Sequence, residues 1–459
     1  MFKELHFFIR NVFILCLSLY VLIKPISLGA ESISEIDVEL ETESVLSPIY
    51  ISNFYSLDDT VSSRYLSELR SVLDYDLAYS GYLRVLPQTA EKEKLIQTFS
   101  KDKATNLTHL GGKYIIKSQV SEQSLNVTLI DVCSSKFFSF DRIDLKKSIQ
   151  QDRVRIHKLA DQIVATLFNA SPFAHSSLIY CVQTKDAKNS SKSVSEIWTC
   201  DWDGRNKKQL TDSKNYLVTP LFFSKNHKAS PLFLFVSYEF GSSKICLRSL
   251  NETRSRRLID LKGNQMLPCL SKDGSLLAFI CDASGRTDLF VQKIDSEGLL
   301  KQKPVQLFSY PHSTQASPTF SPDGQQVAFV SDKDGSPRVY VIPVSFDQLR
   351  PVPRLISKKN RESSCPSWSP DGTKLAYSAK KDSIRQIWIY DFLLDKEIQL
   401  TYGKGNKENP VWGPDSFHIA FNSTDPNSSE LYVINLNQPD PIKITDGEGK
   451  KHYPKWGMK

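Results

Sequence analysis

The chain has 459 residues, 40% of them hydrophobic, enough to bury cores in two or three domains. Its formal net charge is +7, but the Lys and Arg residues are scattered, so nucleic-acid binding is not expected. Aromatic side chains, with 25 Phe and 18 Tyr against 3 Met, favour strands over helical bundles.

At the N-terminus, Lys3 and Arg10 precede an uncharged apolar run from Val12 to Ile23 that stops at Lys24-Pro25. This is the pattern of a secretory signal. A run of about 12 residues is too short for a hydrocarbon core that needs roughly 20, so no stable membrane insertion is expected. Cleavage is placed after Ala30, which makes residues 1–30 the signal peptide and Glu31 the first mature residue. Without Cys16, seven cysteines remain; the odd number leaves at least one thiol unpaired and excludes a dense disulfide framework. Cys181, Cys200, Cys246 and Cys281 lie in strand-like runs and read as small buried hydrophobes.

Residues 31–170 read as an α/β domain with an acidic arm. Glu31, Glu35, Asp37, Glu39, Glu41 and Glu43 stand in a stretch with no Lys or Arg before Arg64, a composition poorly able to bury itself. A strand follows at Ile49–Phe54, then a helix from about Val61 to Ala78 ended by Gly81. Next come a strand at Leu83–Leu86, a charged helix near Ala90–Phe99, and strands at Tyr114–Val120, Leu125–Ile130 and Phe137–Ile143. In Arg153–Leu167 the apolar residues Ile156, Leu159, Ala160, Ile163, Val164 and Leu167 fall at helical spacing and face a core.

Residues 175–459 carry a repeat. Pro318-Thr319-Phe320-Ser321-Pro322-Asp323-Gly324, followed by Val327-Ala328-Phe329-Val330, returns as Pro366-Ser367-Trp368-Ser369-Pro370-Asp371-Gly372 with Leu375-Ala376-Tyr377-Ser378. Weaker copies start at Pro220, Pro268 and Pro410, and Tyr453-Pro454-Lys455-Trp456 repeats the opening; the prolines are spaced by 48, 50, 48, 44 and 44 residues. These are blade-sized periods. Ser-Pro-Asp-Gly is a type I turn, and its Asp reads as a turn former rather than a ligand or acid. Third strands are expected at Val339–Ile342, Ile387–Tyr390 and Leu431–Ile434, and fourth strands at Val305–Leu307, Arg354–Ile356, Ile398–Thr401 and Ile442–Thr445. Residues 175–211 supply a blade without its inner strand, and residues 453–456 an inner strand without its blade. Pairing them closes an all-β six-bladed β-propeller and removes open sheet edges. Trp368, Trp412 and Trp456 hold equivalent positions and read as inter-blade packing.

Catalytic signatures are missing from the sequence. No Gly-x-Ser-x-Gly elbow occurs, which argues against a peptidase of the kind that follows some propellers with this repeat. The eight His residues form no close ligand pair, and Asp201-Trp202-Asp203-Gly204 is too short for an EF-hand and reads as a turn. No enzyme activity, cofactor or metal is expected.

An export signal, a small α/β domain and this propeller together resemble the TolB family, periplasmic proteins of the bacterial Tol-Pal system. The resemblance rests on Glu35-Ile36-Asp37-Val38-Glu39 followed by Pro48-Ile49-Tyr50-Ile51-Ser52-Asn53-Phe54, and on Leu66 through Ser80-Gly81. It also rests on Ala165-Thr166-Leu167-Phe168-Asn169-Ala170-Ser171-Pro172-Phe173 running into Ile179-Tyr180-Cys181-Val182-Gln183. It implies a periplasmic, monomeric, non-enzymatic adaptor with two protein partners. A Pal-like peptidoglycan-associated lipoprotein is expected at the propeller mouth, on Asn264, Gln265, Thr314, Gln315, Glu362, Ser363, Asn406, Lys407 and Glu408. A TolA-like inner-membrane protein is expected on the N-terminal arm, at Glu35, Ile36, Asp37, Val38 and Glu39. Outer-membrane integrity and envelope constriction at cell division are the implied roles. The second reading is an exported propeller that binds a sugar or small ligand in its central channel. Ser271-Lys272-Asp273-Gly274, Ser224-Lys225-Asn226-His227 and Gly413-Pro414-Asp415-Ser416 depart from the repeat and mark a divergent lineage.

Overall fold

Ile49, Tyr50 and Ile51 follow one another with no exposed surface, as expected of a strand covered on both faces. In the computed structural model they lie in β1 (Ser47–Ser56), followed by α1 (Ser63–Ala78), β2 (Leu83–Val85) and α2 (Ala90–Gln97). Next come β3 (Tyr114–Ser121), β4 (Ser124–Asp131), β5 (Lys136–Ser139), β6 (Ile143–Asp144) and α3 (Ile149–Phe168). The structure describes residues 46–57, 61–97, 109–186, 189, 191–223, 231–295, 300, 302–346 and 351–458. The expected cleavage site at Ala30 and Glu31, and the arm residues Glu35, Ile36, Asp37, Val38 and Glu39, lie outside the described residues.

The sheet order is β2-β1-β3-β4-β5, with β1 parallel to both β2 and β3, and with β6 also paired to β4. Leu66, Leu69, Leu73 and Leu77 of α1 and Ile156, Leu159 and Ile163 of α3 pack with Ile49 and Ile51; Ile96 of α2 packs with Tyr50 on the opposite face. Ser62 caps α1 by accepting the Tyr65 N–H, and Asn169 ends α3 in the left-handed conformation. Two expectations are corrected. The expected strand Phe137–Ile143 is two, β5 and β6, both on β4, broken where the exposed Asp141 and Arg142 put charge into solvent. The last helix starts at Ile149, ahead of the expected Arg153, because the buried Asp152 accepts the Lys146 N–H and extends it.

Six four-stranded antiparallel sheets form the propeller. Five have inner strands at Leu217–Phe223, Gln265–Leu270, Gln315–Phe320, Ser363–Trp368 and Asn406–Trp412, the first residues of blades two to six. Blade one is composite: Lys450–Met458 pairs with Ser176–Lys185, Trp456 opposite Leu178, so the ring closes as the two incomplete blades require. In the turns, Ser321 Oγ donates to Asp323 Oδ1 at 2.5 Å and Ser369 Oγ to Asp371 Oδ1 at 2.6 Å, the turn-forming role expected of both Asp residues. Ser271 and Asp273 make the same bond without the Pro.

The α/β layer docks on blades one and six, at the end bearing the turns between first and second and between third and fourth strands. Asn437 Nδ2 donates to Gly81 O at 3.0 Å, Gln438 Nε2 to Ala78 O at 3.1 Å, and Trp202 Nε1 to Asp76 at 2.9 Å. Leu69, Ile156, Phe173, Leu178, Trp202 and Ile444 share one continuous core that joins the α/β layer to the propeller. The starts of the inner strands open at the opposite end.

Candidate partner-binding site at the propeller mouth

Each inner strand reaches its repeated Pro through a residue in the left-handed region: Thr219 (φ 50°), Leu267 (51°), Ser317 (49°), Cys365 (51°), Asn409 (53°) and Tyr453 (55°). None is glycine, and for Thr219, branched at Cβ, the conformation is a genuine outlier. The cause is local. Pro has no N–H for the ladder and a fixed φ, so pairing with the second strand slips at each site, as between Ala316 and Thr319 and between Ser364 and Ser367. The slip turns these positions toward the axis, where Thr219 and five residue-Pro pairs line a cavity of about 60 Å³. Across it, Cys365 Sγ lies 3.2 Å from Asn409 Oδ1 and 3.8 Å from Ser317 Oγ. Burial there pushes the Cys365 thiol up from its usual range, so it is a thiol rather than a nucleophilic thiolate.

Among the paired mouth residues, Asn264, Thr314 and Glu362 immediately precede their inner strands and Asn406 opens one. The second of each pair is buried. Gln265 accepts from Ile245 N at 3.2 Å and donates to Ile259 O and Leu261 O at 3.1 and 2.9 Å. Gln315 donates to Ser313 Oγ at 2.9 Å, and Ser363 Oγ to Asn360 O at 3.1 Å. Lys407 Nζ, its pKa lowered by burial, donates to Gly405 O at 2.9 Å and to Lys404 O. These four side chains hold the propeller together and offer no surface to a partner.

Asn264, Glu362, Asn406 and Glu408 are half-buried and Thr314 is exposed. Asn264 is fixed by Asp282, with its N–H at 2.6 Å from Oδ1 and Nδ2 at 2.7 Å from Oδ2. The Thr314 N–H donates to Asp332 Oδ1 at 2.6 Å, and Asn406 Oδ1 accepts the Arg385 N–H at 2.9 Å. Glu362 pairs with Lys380 at 3.0 Å, and Glu408 lies 3.7 Å from Arg385 Nε. Arg385 also donates from Nη1 to Glu362 O at 2.9 Å and to Ser364 Oγ at 3.2 Å. It thereby joins the inner strands of blades five and six.

Sequence reasoning missed Arg385 and Lys380, whose role comes from a strand pair folded back beside the mouth, and no motif marks them. It also missed Tyr216 and Lys450, which stand at the same offset from Pro220 and Pro454 as Asn264 does from Pro268. The repeat itself held that signal. Tyr216 meets Tyr238 edge to face with ring centroids 5.7 Å apart, giving this side of the mouth an aromatic lip.

Residues 171–353 and 352–459 match the family described as TolB beta propeller domain. The chain is 40% identical over 425 residues to the Protein TolB homolog of Protochlamydia amoebophila, covering 89% of this chain and 88% of the relative. It is 33% identical over 397 residues to the Protein TolB homolog of Chlamydia trachomatis serovar D, covering 86% and 85%. The crystal structure of TolB from Acinetobacter baumannii superposes with a TM-score of 0.72 at 18% identity, covering 90% of this chain and 96% of that one.

Proposed function

Because the chain belongs to the TolB family, we propose that it is a non-enzymatic adaptor of the Tol-Pal system, exported to the periplasm through its N-terminal signal. In this reading a Pal-like peptidoglycan-associated lipoprotein binds the propeller mouth and a TolA-like inner-membrane protein binds the acidic arm. The role is support of outer-membrane integrity and of envelope constriction at division. The observation that carries it is the half-exposed charged set Glu362, Lys380, Arg385 and Glu408 beside a nearly closed channel. That end of the propeller is clear of the described α/β layer, so the mouth is open to a partner. Among the described residues, no helix is long and apolar enough to cross a membrane.

The alternative of a sugar in the channel has no observation in its favour. About 60 Å³ holds one or two water molecules, whereas small-molecule sites run to roughly 300–1,000 Å³. Calorimetric titration of the purified protein with its cognate lipoprotein domain tests the reading. Saturable binding supports it; no heat at about 100 μM, where even a weak contact of about 5 kcal/mol registers, removes the partner assignment.

A further inference from the structure

A second constellation lies far from the mouth, where α3 meets blade one. His157 of α3 is 2% exposed, and its Nδ1 lies 2.7 Å from Asp76 Oδ2 of α1. The other Asp76 oxygen accepts the Trp202 indole N–H at 2.9 Å. This pair of contacts locks the imidazole in one orientation and aims Nε2 at the turn Asp201-Trp202-Asp203-Gly204. Nε2 has no hydrogen-bond partner; Asp201 Oδ2, which accepts from Asn206 Nδ2 at 2.7 Å, is 3.8 Å away. Nε2 and one oxygen each of Asp201 and Asp203 lie within 4.8 Å of one another.

The turn presents both carboxylates on one side because it is rigid. Gly204 N–H donates to Asp201 O at 2.9 Å, and Gly204 has φ +77° with its Cα so close to blade six that a Cβ would sit 1.7 Å from Ile444 O. Asp203 also lines a cleft of about 740 Å³ together with Tyr75, Arg153 and Asn206, so the cluster borders solvent at its Asp203 edge.

We propose that His157, Asp201 and Asp203 bind one divalent transition-metal ion of the zinc class, with Asp76 orienting the imidazole and water from the cleft completing the shell. A carboxylate behind a histidine whose far nitrogen meets the ion is the usual outer-shell arrangement. One imidazole and two carboxylates suit zinc or another divalent first-row ion and offer nothing to a thiol-seeking one. Metal bonds of roughly 2.0–2.2 Å set neighbouring tetrahedral ligand atoms about 3.3–3.6 Å apart, so separations of 3.8 Å and up to 4.8 Å close by side-chain rotations that release Asn206 from Asp201 and Arg153 from Asp203.

Asp203 pairs with Arg153, so the ion takes the place of that guanidinium, which turns into the cleft it already lines. The ligands come from a helix of the α/β layer and a turn of the propeller, so the ion pins one to the other.

Cobalt is the informative probe, because the seven described cysteines are free and Cys133 is exposed. The full-length protein carrying Cys133→Ser is titrated with Co²⁺, then Zn²⁺, and followed by visible absorption and thermal unfolding. The expected result is one Co²⁺ per chain with d–d bands and no sulfur charge-transfer band, displaced by Zn²⁺, and a Tm that rises with Zn²⁺ concentration. Affinity should fall about 10- to 100-fold in His157→Gln and in Asp203→Asn. No saturable binding up to about 1 mM, which is weaker than any site worth filling, overturns the proposal. Unchanged affinity and spectrum in Asp203→Asn overturns it as well, whether or not His157→Gln folds.

Discussion

Phe173 and His418 lie face to face, ring centroids 3.8 Å apart and planes 7° from parallel. Phe173 belongs to the segment leaving α3, and His418 to the second strand of blade six. Each nitrogen of the His418 ring meets an oxygen, Asp415 Oδ2 at 2.6 Å and Tyr79 O at 3.0 Å, so the ring cannot turn away. Trp202 and Trp456 pack edgewise on Phe173 at 4.9 and 5.1 Å. One side chain thus touches blade one, blade six and the closing strand.

Phe173→Ala should therefore cost about 3–5 kcal/mol, the range for emptying a buried phenylalanine site. Urea unfolding reads the loss. Limited proteolysis should cut the 169–175 segment faster than in the parent, because the α/β layer loses its central contact with the ring.

At the mouth, Glu362→Lys combined with Glu408→Lys should weaken lipoprotein binding at least tenfold, about 1.4 kcal/mol. Both carboxylates are half-exposed and paired, to Lys380 and Arg385, so the double change leaves unfolding nearly untouched while reversing the local field. Calorimetry at two salt concentrations checks this. An unaltered affinity would move the partner site away from blades five and six.

Asp74 on α1 offers a pH test. Burial raises its carboxyl from 3.8 to about 6, although Arg70 at 3.1 Å pulls the other way, and Oδ1 is left without a partner. A folded pKa above the unfolded one means the folded state binds the proton more tightly. Its stabilising effect is full below about pH 4 and is lost as pH rises through about 6. Asp74→Asn should then stabilise the protein at pH 7.5 by about 1–2 kcal/mol and lose that advantage at pH 4. Denaturant curves at both pH values decide it.

Thr219 is a stability reserve. Its φ of 50° is strained for a side chain branched at Cβ, and its Oγ1 is buried without a partner. Asn tolerates this conformation and already fills the equivalent place in blade six, at Asn409. Thr219→Asn should stabilise by about 1 kcal/mol and raise Tm by about 2 °C in calorimetric scans.

How much of this was legible in the sequence depends on where its causes lie. The Pro period, the Ser-Pro-Asp-Gly turns and the two half-blades are local patterns, and ring closure followed from them down to Trp456 beside Ser176–Lys185. The mouth was half legible. Gln265 and Ser363 begin their strands while Asn264 and Glu362 stand just before them, and the sequence does not say which member of each pair turns in. The seam between layers was not legible at all. Asp76 meets His157 from 81 residues away and Trp202 from 126, and His418 meets Tyr79 from 339, distances across which no spacing rule operates.

The composite blade sets a clock. Ser177 and its partner Gly457 are 280 residues apart. At synthesis rates of about 5–20 residues per second, Ser176–Lys185 waits on the order of 15–60 s for its neighbour. Throughout that interval its inner edge presents unpaired N–H and C=O groups, the template on which foreign strands add. The closing strand is the last to arrive, so the first blade begun is the last completed. Nothing within the propeller can shorten the wait, and whatever shields that edge in the cell must hold for tens of seconds.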